Sequence, residues 1–127
     1  MKYEVKCPIL GFEDIQEVTI TEIDDMFSTM YDANNTDISF TIVNPYTLRE
    51  YSFDVPTDVK ILLNINENSK ITVHNIVVIQ EPLENSTVNF LAPIIVNHDN
   101  NTVAQAVLDK NRHPDFGMAE SISSFRK

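Results

Sequence analysis

Apolar residues recur at every second position along most of this chain, and that period restricts what it can fold into. In the first such segment, Tyr3, Val5 and Cys7 alternate with charged residues. Side chains two positions apart lie on one face of a β-strand, so each alternating segment is predicted to be a strand with one buried face. The other alternating segments are 38–42, 51–55, 59–65, 71–78, 88–96 and 103–107.

Turns rich in asparagine separate these segments. Clusters of Asn and Asp occur at 34–37, 64–69 and 97–101, whereas the whole chain has two glycines. Asn and Asp tolerate left-handed backbone and hydrogen-bond to their own loop, so they can occupy positions where other proteins use glycine. Short strands at this spacing, without a long amphipathic helix, predict an all-β fold, either an antiparallel sandwich or a barrel.

Two positions inside the predicted strands interrupt the pattern. The alternating apolar residues shift from odd to even positions at His74-Asn75. A β-bulge would produce such a shift. Pro93 lies within 88–96 and cannot donate a ladder hydrogen bond, so it requires a sheet edge or a bulge. We therefore expect an irregular ladder at both positions.

Residues 21–31 fit two structures equally well. Ile23, Met26, Phe27 and Met30 are spaced as on one face of a helix, with Thr21 as its cap. The chain from Met26 onward can equally be extended. Both interpretations remain open at this stage.

The C-terminal tail, residues 109–127, follows a domain predicted to span 1–108. The tail places Met118, Ile122 and Phe125 on one helical face. We favour a short helix that packs against one end of the sheet structure. The alternative is a mobile segment that docks on a partner.

The charge of the chain limits its partners. A chain of 127 residues forms one domain, and its nine Lys and Arg are outnumbered by 19 Asp and Glu, for a net charge of −10. Nucleic acids and anionic membranes attract cationic proteins, so this charge argues against direct binding to either. Residues 1–60 hold most of the excess, with four cations and twelve acids. A basic protein partner is compatible with such a surface.

The residues that usually carry chemistry form no recognisable catalytic or metal-binding pattern. His74, His98 and His113 are not at metal-ligand spacing, and the single cysteine, Cys7, is on the apolar side of its strand. We predict no enzyme activity, no metal and no cofactor. Because the chain begins Met1-Lys2 without an apolar run behind it, we expect no secretory signal and a cytoplasmic monomer.

Three stretches of the chain have distinctive amino-acid sequences. They are Pro8-Ile9-Leu10-Gly11-Phe12-Glu13, the segment FTIVNP at 40–45, and the segment TVNFLAPIIVN at 87–97, which Gln105 follows eight residues later. In this order and spacing they resemble the flagellar assembly factor family, the FliW-type proteins. The resemblance covers about residues 3–108, and its most specific part is 89–97. The family's first motif usually reads Gly-Leu-Pro-Gly-Phe-Glu, so the proline here is displaced from Gly11, and the loop is expected to differ in shape.

The resemblance implies a compact β-barrel domain and two protein partners. These are flagellin and the RNA-binding carbon storage regulator, CsrA. Proteins similar to this one bind CsrA and stop it from repressing the translation of flagellin message. Flagellin competes for the factor and thereby frees the regulator.

Acidic side chains are the expected contacts of the regulator, because an acidic surface is steered towards the cationic field that holds RNA. They fall into two groups: Glu13, Asp14, Glu17, Glu22, Asp24 and Asp25, and then Glu50, Asp54 and Asp58.

The motif residues are expected to have structural or interface roles. Gly11 is expected to supply a turn, and Pro45 and Pro93 to fix the backbone at strand ends. Phe12, Phe90 and Ala92 are assigned to the core. Asn89 and Gln105 either satisfy buried backbone groups or face a partner.

Two other functions are kept as alternatives. A small ligand- or carbohydrate-binding barrel would need exposed aromatic side chains, whereas this chain has no Trp and its Phe and Tyr are mostly at inward positions. An enzyme that uses the adjacent carboxylates of Asp24 and Asp25 would need a cleft at that position.

Overall fold

Strands make up most of the regular structure, as the period of two predicts. The computed structural model describes residues 2–125. Its strands are β1 (Lys2–Cys7), β2 (Glu17–Glu22), β3 (Phe27–Asp32), β4 (Asn35–Val43), β5 (Ile71–Val78), β6 (Thr87–Val88), β7 (Ile94–Asn97), β8 (Thr102–Gln105) and β9 (Glu120–Ser121). One helix, α1 (Thr57–Leu63), and 3₁₀ turns at Pro45–Thr47, Leu83–Asn85 and Ile122–Phe125 complete the set.

Seven of the strands close into a barrel. The order β4-β3-β2-β1-β8-β7-β5 returns to β4 because β4 also pairs with β5. The short strands β6 and β9 extend this sheet outward from β5. The predicted barrel is confirmed, with one correction: β1 and β8 run parallel, whereas the other neighbours in the ring are antiparallel.

The two ends of the barrel differ. At the end that we call the Gly11 end, β1 finishes at Cys7, β5 at Val78 and β8 at Gln105. The opposite end, which we call the Tyr3 end, holds the start of β1 and the end of β2.

The core has three parts. The barrel interior is filled by a cluster that includes Val18, Met30 and Ile42, each fully buried. A second cluster lies outside the barrel wall, where Tyr51, Phe90 and residues of the tail pack on β5 and β6. A third lies under α1, whose Val59 and Leu63 pack on Ile95, Ala104 and Ala106 of β7, β8 and the chain beyond. The strands there therefore carry buried apolar residues on both faces.

The predicted strand at 59–65 is wrong, because its core is the helix α1. Val59 and Leu63 are four residues apart and buried, a spacing that fits both a strand and a helix. Ile61, which a strand would bury with them, is 74% exposed. Asn64 ends the helix in left-handed conformation at φ 56°, and the amides of Asn97 and Asn100 donate to the Leu63 carbonyl.

The helical interpretation of 21–31 is wrong, and the extended one from Met26 is confirmed. β2 and β3 form a hairpin across this segment. Its turn is held by Asp24, whose Oδ1 accepts the backbone N–H groups of Met26 at 2.9 Å and Phe27 at 2.7 Å. A carboxylate that caps its own turn in this way favours the hairpin over a helix.

The other irregularities differ from expectation. β5 is one strand across His74-Asn75, paired with β7 up to His74 and with β4 from Asn75, and neither ladder has a register shift, so the predicted bulge is absent from that described strand. Register shifts occur instead in β1 between Val5 and Cys7 and in β3 at Tyr31/Asp32. The segment 88–96 is two strands, and Pro93 is buried in the connection between them. Residues 51–55, predicted to be a strand, form no strand.

The tail packs on the barrel as far as it is described. Phe116 and Ile122 are buried in the second core cluster, and Ile122–Phe125 forms a 3₁₀ turn. β9 pairs with β6. Residues 126–127 of the tail lie outside the described residues. No helix within 2–125 is long and apolar enough to cross a membrane.

Candidate functional site

An apolar groove opens at the Gly11 end, between β4 and β5. Its volume is about 560 Å³, within the range of functional pockets. The described residues that line it carry no charge: Leu10, Phe12, Ser39, Phe40, Thr41, Ile76, Val77, Val78, Ile79, Thr87, Asn89, Gln105 and Met118.

Large apolar side chains on the groove are exposed to solvent. Phe12 is 42% exposed and Met118 68%, and Leu10, Val78 and Ile79 lie between these values. Exposed apolar side chains gathered in one concave patch mark a surface that binds another molecule. The core assignment of Phe12 is therefore wrong, while Phe90 and Ala92 are buried as expected.

Gly11 and Gln105 position the loop that forms one wall. Gly11 adopts φ 83°, a left-handed conformation that favours glycine. The Gln105 side chain accepts the Leu10 N–H at 2.8 Å and donates to the Ala92 carbonyl at 3.2 Å. Gln105 is buried, so of the two roles considered for it, this geometry favours satisfying backbone groups. It ties the loop to the connection before β7.

A contact with a second aromatic ring fixes the orientation of the Phe12 side chain. Its ring packs edge-to-face on Phe40 with centroids 4.8 Å apart, a favoured geometry for aromatic pairs. Ile9 is buried beneath it and forms an isolated bridge with Phe12. The displaced proline of the first motif is Pro8, which is exposed at the start of this loop.

Asn89 forms the far wall. Its side-chain oxygen accepts the Leu91 N–H at 3.0 Å, and its carbonyl accepts from the buried amide of Asn75 at 2.9 Å. The groove therefore gathers Phe12, Asn89 and Gln105 from three distant parts of the chain. Gly11 shapes the loop before Phe12, the Ala92 carbonyl accepts from Gln105, and the Pro93 carbonyl accepts the Ala106 N–H. Pro45 lies apart from these residues and begins the 3₁₀ turn after β4.

Sequence reasoning missed Val78, Ile79, Leu10 and Met118 as groove residues. The run Ile76-Val77-Val78-Ile79 contained a usable signal, because four consecutive apolar residues make both faces of a strand apolar. That run, and not a bulge, accounts for the change of apolar phase. Met118 gave no such signal.

The first acidic group is divided between the two ends of the barrel. Glu13 and Asp14 follow Phe12 at the Gly11 end, whereas Asp24 and Asp25 lie in the turn at the Tyr3 end. Glu17 and Glu22 mark the two ends of β2, about 17 Å apart at the usual rise per residue. Glu17 is half-buried, and the other five are exposed.

The second acidic group lies on another side of the molecule. Glu50, Asp54 and Asp58 are exposed along the segment that covers β5 and β7 from outside. In the barrel order, β5 and β7 are the strands farthest from β2. The structure does not bring the two groups together.

A chain of polar side chains runs through the Tyr3 end. Thr72 Oγ1 lies 2.7 Å from His98 Nε2 and 3.0 Å from His74 Nε2, and His98 Nδ1 is 3.4 Å from the Tyr3 hydroxyl. Burial, and then the neighbouring His98, lower the pKa of His74 to about 4, so this imidazole is neutral at pH 7. Within residues 2–125, no three His, Cys, Asp or Glu side chains are placed to hold a metal ion.

Comparison with known proteins gives one consistent family. The model of the FliW protein family matches residues 2–118. Flagellar assembly factor FliW 2 of Wolinella succinogenes is 50% identical over 125 residues, which span 98% of this chain and 92% of that protein. Flagellar assembly factor FliW of Sulfurimonas denitrificans is 48% identical over 127 residues, or 100% and 99% of the two chains.

A solved structure gives the same fold. The crystal structure of a flagellar assembly factor FliW matches with a TM-score of 0.87 over 99% of this chain and 86% of that one, at 17% identity. The motifs, the barrel and the relatives agree, and the chain belongs to the FliW family of flagellar assembly factors.

Proposed function

We propose that this protein binds the RNA-binding regulator CsrA, relieves its repression of flagellin translation, and binds flagellin in a partner switch during flagellum biogenesis. The observation that carries the proposal is the groove. Phe12 of the first family motif meets there Asn89, which lies 77 positions later in the chain, and Gln105, which lies 93 positions later, beside exposed apolar side chains. A surface of this kind supplies the anchors on which most protein complexes depend.

The charge of the molecule suits the proposed regulator. A protein that holds RNA presents cations, and a partner with a net charge of −10 is drawn to them. Steering of this kind raises the association rate and lowers affinity for acidic competitors. Apolar contacts in the groove would then set the lifetime of the complex.

The proposal is tested by titrating the protein into CsrA bound to a labelled flagellin leader RNA, with and without flagellin. We expect release of the RNA by the protein and recovery of the RNA complex when flagellin is added. Retention of the RNA at micromolar protein would contradict the regulatory function while leaving the family assignment intact. Binding of flagellin or of a small ligand would then be measured separately.

Matched variants locate the site. Phe12→Ala removes an exposed aromatic wall of the groove and is expected to weaken CsrA binding at least about tenfold, as at other interface hot spots. Tyr46→Ala is the control, because Tyr46 is an exposed aromatic residue outside the groove. Equal effects of the two substitutions would argue that the groove is not the contact.

A further inference from the structure

The barrel wall is open where β4 and β5 diverge. The last pair between them at this end is Thr41 with Val77. Continuing the register would pair Ser39 with Ile79, yet among residues 2–125 no backbone hydrogen bond joins these two. We call this opening the β4–β5 fork, and it lies within the groove.

The backbone of Ser39 points into the fork. The Asn44 N–H donates to the Met26 carbonyl at 2.7 Å, on the β3 side of β4. Because N–H groups alternate in direction along a strand, those of Val43, Thr41 and Ser39 point the other way, towards β5. Thr41 and Val43 are paired there, and Ser39 is not.

β5 ends at Val78, and β6 does not occupy the edge that faces β4. Val77 pairs with Thr41 of β4 and with Val88 of β6 at the same time, so the two strands lie on opposite edges of β5. The edge of β4 beyond Thr41 thus leaves the backbone groups of Ser39 without a strand partner next to apolar side chains, whereas the Asp37 N–H donates to the Asn35 side chain at 3.2 Å. An edge of that kind is a template for another strand unless charges or prolines block it.

Three acidic residues are near neighbours, in the chain, of residues that line the fork, and the groove lining itself carries no charge. Asp37 lies two residues before Ser39, Glu81 lies two after Ile79, and Asp14 lies two after Phe12. All three acids are exposed. An incoming segment is therefore favoured if it is apolar in the groove and carries Lys or Arg beside it.

We propose that the β4–β5 fork receives an extended segment of a basic protein partner, which adds as a strand to the free edge of β4. The segment would place alternate apolar side chains against Phe12 and Ile79, with its cations near Asp37 and Glu81. Main-chain hydrogen bonds would give affinity and the groove would give selectivity, as in other cases of strand addition. The inference rests on the proposed function and specifies how the groove holds CsrA.

The test removes one backbone donor. Ser39→Pro deletes the N–H that points into the fork and leaves the β3 side of β4 intact, since proline is tolerated at a free edge. Ser39→Ala is the matched control, which loses the hydroxyl and keeps the N–H. We expect Ser39→Pro to weaken CsrA binding at least tenfold and Ser39→Ala to change it less than twofold. Thermal unfolding of both variants checks that the fold is retained.

Amide exchange of the unmodified protein gives a second readout. The Ser39 amide is expected to become protected at least tenfold when CsrA is bound. Strand addition would be overturned if Phe12→Ala weakened CsrA binding while Ser39→Pro did not and the Ser39 amide gained no protection. The groove would then remain the binding site without an added strand. Failure of CsrA to bind at all would overturn the proposed function first. If the Ser39 amide were protected only by flagellin, or by self-association of the free protein, the proposal that a basic protein occupies the fork would be wrong.

Discussion

Arg49 joins the tail to the barrel. Its guanidinium lies 5.0 to 5.4 Å from the ring centroids of Phe90, Phe116 and Phe125. It also forms an ion pair with Glu120 at 3.2 Å, with both side chains largely buried. One charged group thus contacts Phe90 and three residues of the tail, Phe116, Glu120 and Phe125.

Substitution of Arg49 should loosen the tail. Arg49→Met keeps an apolar stem but loses the cation and leaves Glu120 unpaired. We expect the free energy of unfolding to fall by about 2 kcal/mol, from loss of the cation–π contacts and the ion pair. Urea denaturation measures the change, with the exposed cation Lys60 substituted by Met as the control. An equal effect of both substitutions would contradict a special role for Arg49.

His74 makes stability depend on pH. Its pKa is lowered to about 4 in the folded chain, against about 6.5 when unfolded. Between pH 6.5 and pH 4, His74 is therefore protonated in the unfolded chain and neutral in the folded chain. The free energy of unfolding falls as the pH decreases through this interval. The loss totals about 3 kcal/mol at 1.36 kcal/mol per pKa unit. Above pH 6.5 this residue contributes no pH dependence.

The measurement compares two proteins between pH 7 and pH 5, where most carboxylates stay ionised. The unmodified chain is expected to lose about 2 kcal/mol over this interval, whereas His74→Gln should lose much less. The same slope in both proteins would assign the pH dependence to other groups.

At the scale of elements, the β2–β3 hairpin depends on its turn. The Asp24 carboxylate accepts two backbone N–H groups, whereas Asp25 is exposed beside it. Asp24→Ala is expected to lower the free energy of unfolding by about 1–2 kcal/mol, and Asp25→Ala by less than about 0.5 kcal/mol. Chemical denaturation of both variants measures these changes. Similar decreases in the free energy of unfolding for the two variants would contradict the role of Asp24. This role also weakens the enzyme alternative, because the Asp24 carboxylate is already committed to the turn.

At the scale of the whole molecule, the position of the charge matters as much as its amount. Asp14 and Asp37 lie near the groove, whereas Glu22 and Asp25 lie towards the Tyr3 end. Changing either pair to Lys adds two charges per site and takes the net charge from −10 to −6. If CsrA binds at the groove, the Asp14 and Asp37 pair should slow association about tenfold at low salt, and the other pair about twofold. Stopped-flow rates at increasing ionic strength measure this, and equal slowing would show that only net charge acts.

The local sequence pattern was sufficient to predict many of the strands, the turns and the family of this protein. Alternation predicted strands because the two faces of a strand meet different surroundings, and it did so for β1, β4, β5 and β8. Asparagine-rich turns indicated left-handed backbone, which Asn64 and Asn101 adopt. The ordered motifs indicated the family. None of these inferences needs a contact between distant residues.

The tertiary structure decided the rest. Val59 and Leu63 fit a strand and a helix equally, and only the third core cluster selects the helix. Phe12 and Gln105 are separated by most of the chain, and their meeting depends on β1 lying beside β8. The groove exists because the pairing of β4 with β5 stops at Thr41 and Val77 and does not reach Ser39 and Ile79. Strand partners of this kind are set by the packing of the whole barrel, since each backbone edge can pair with any other, and no local period specifies which one it finds.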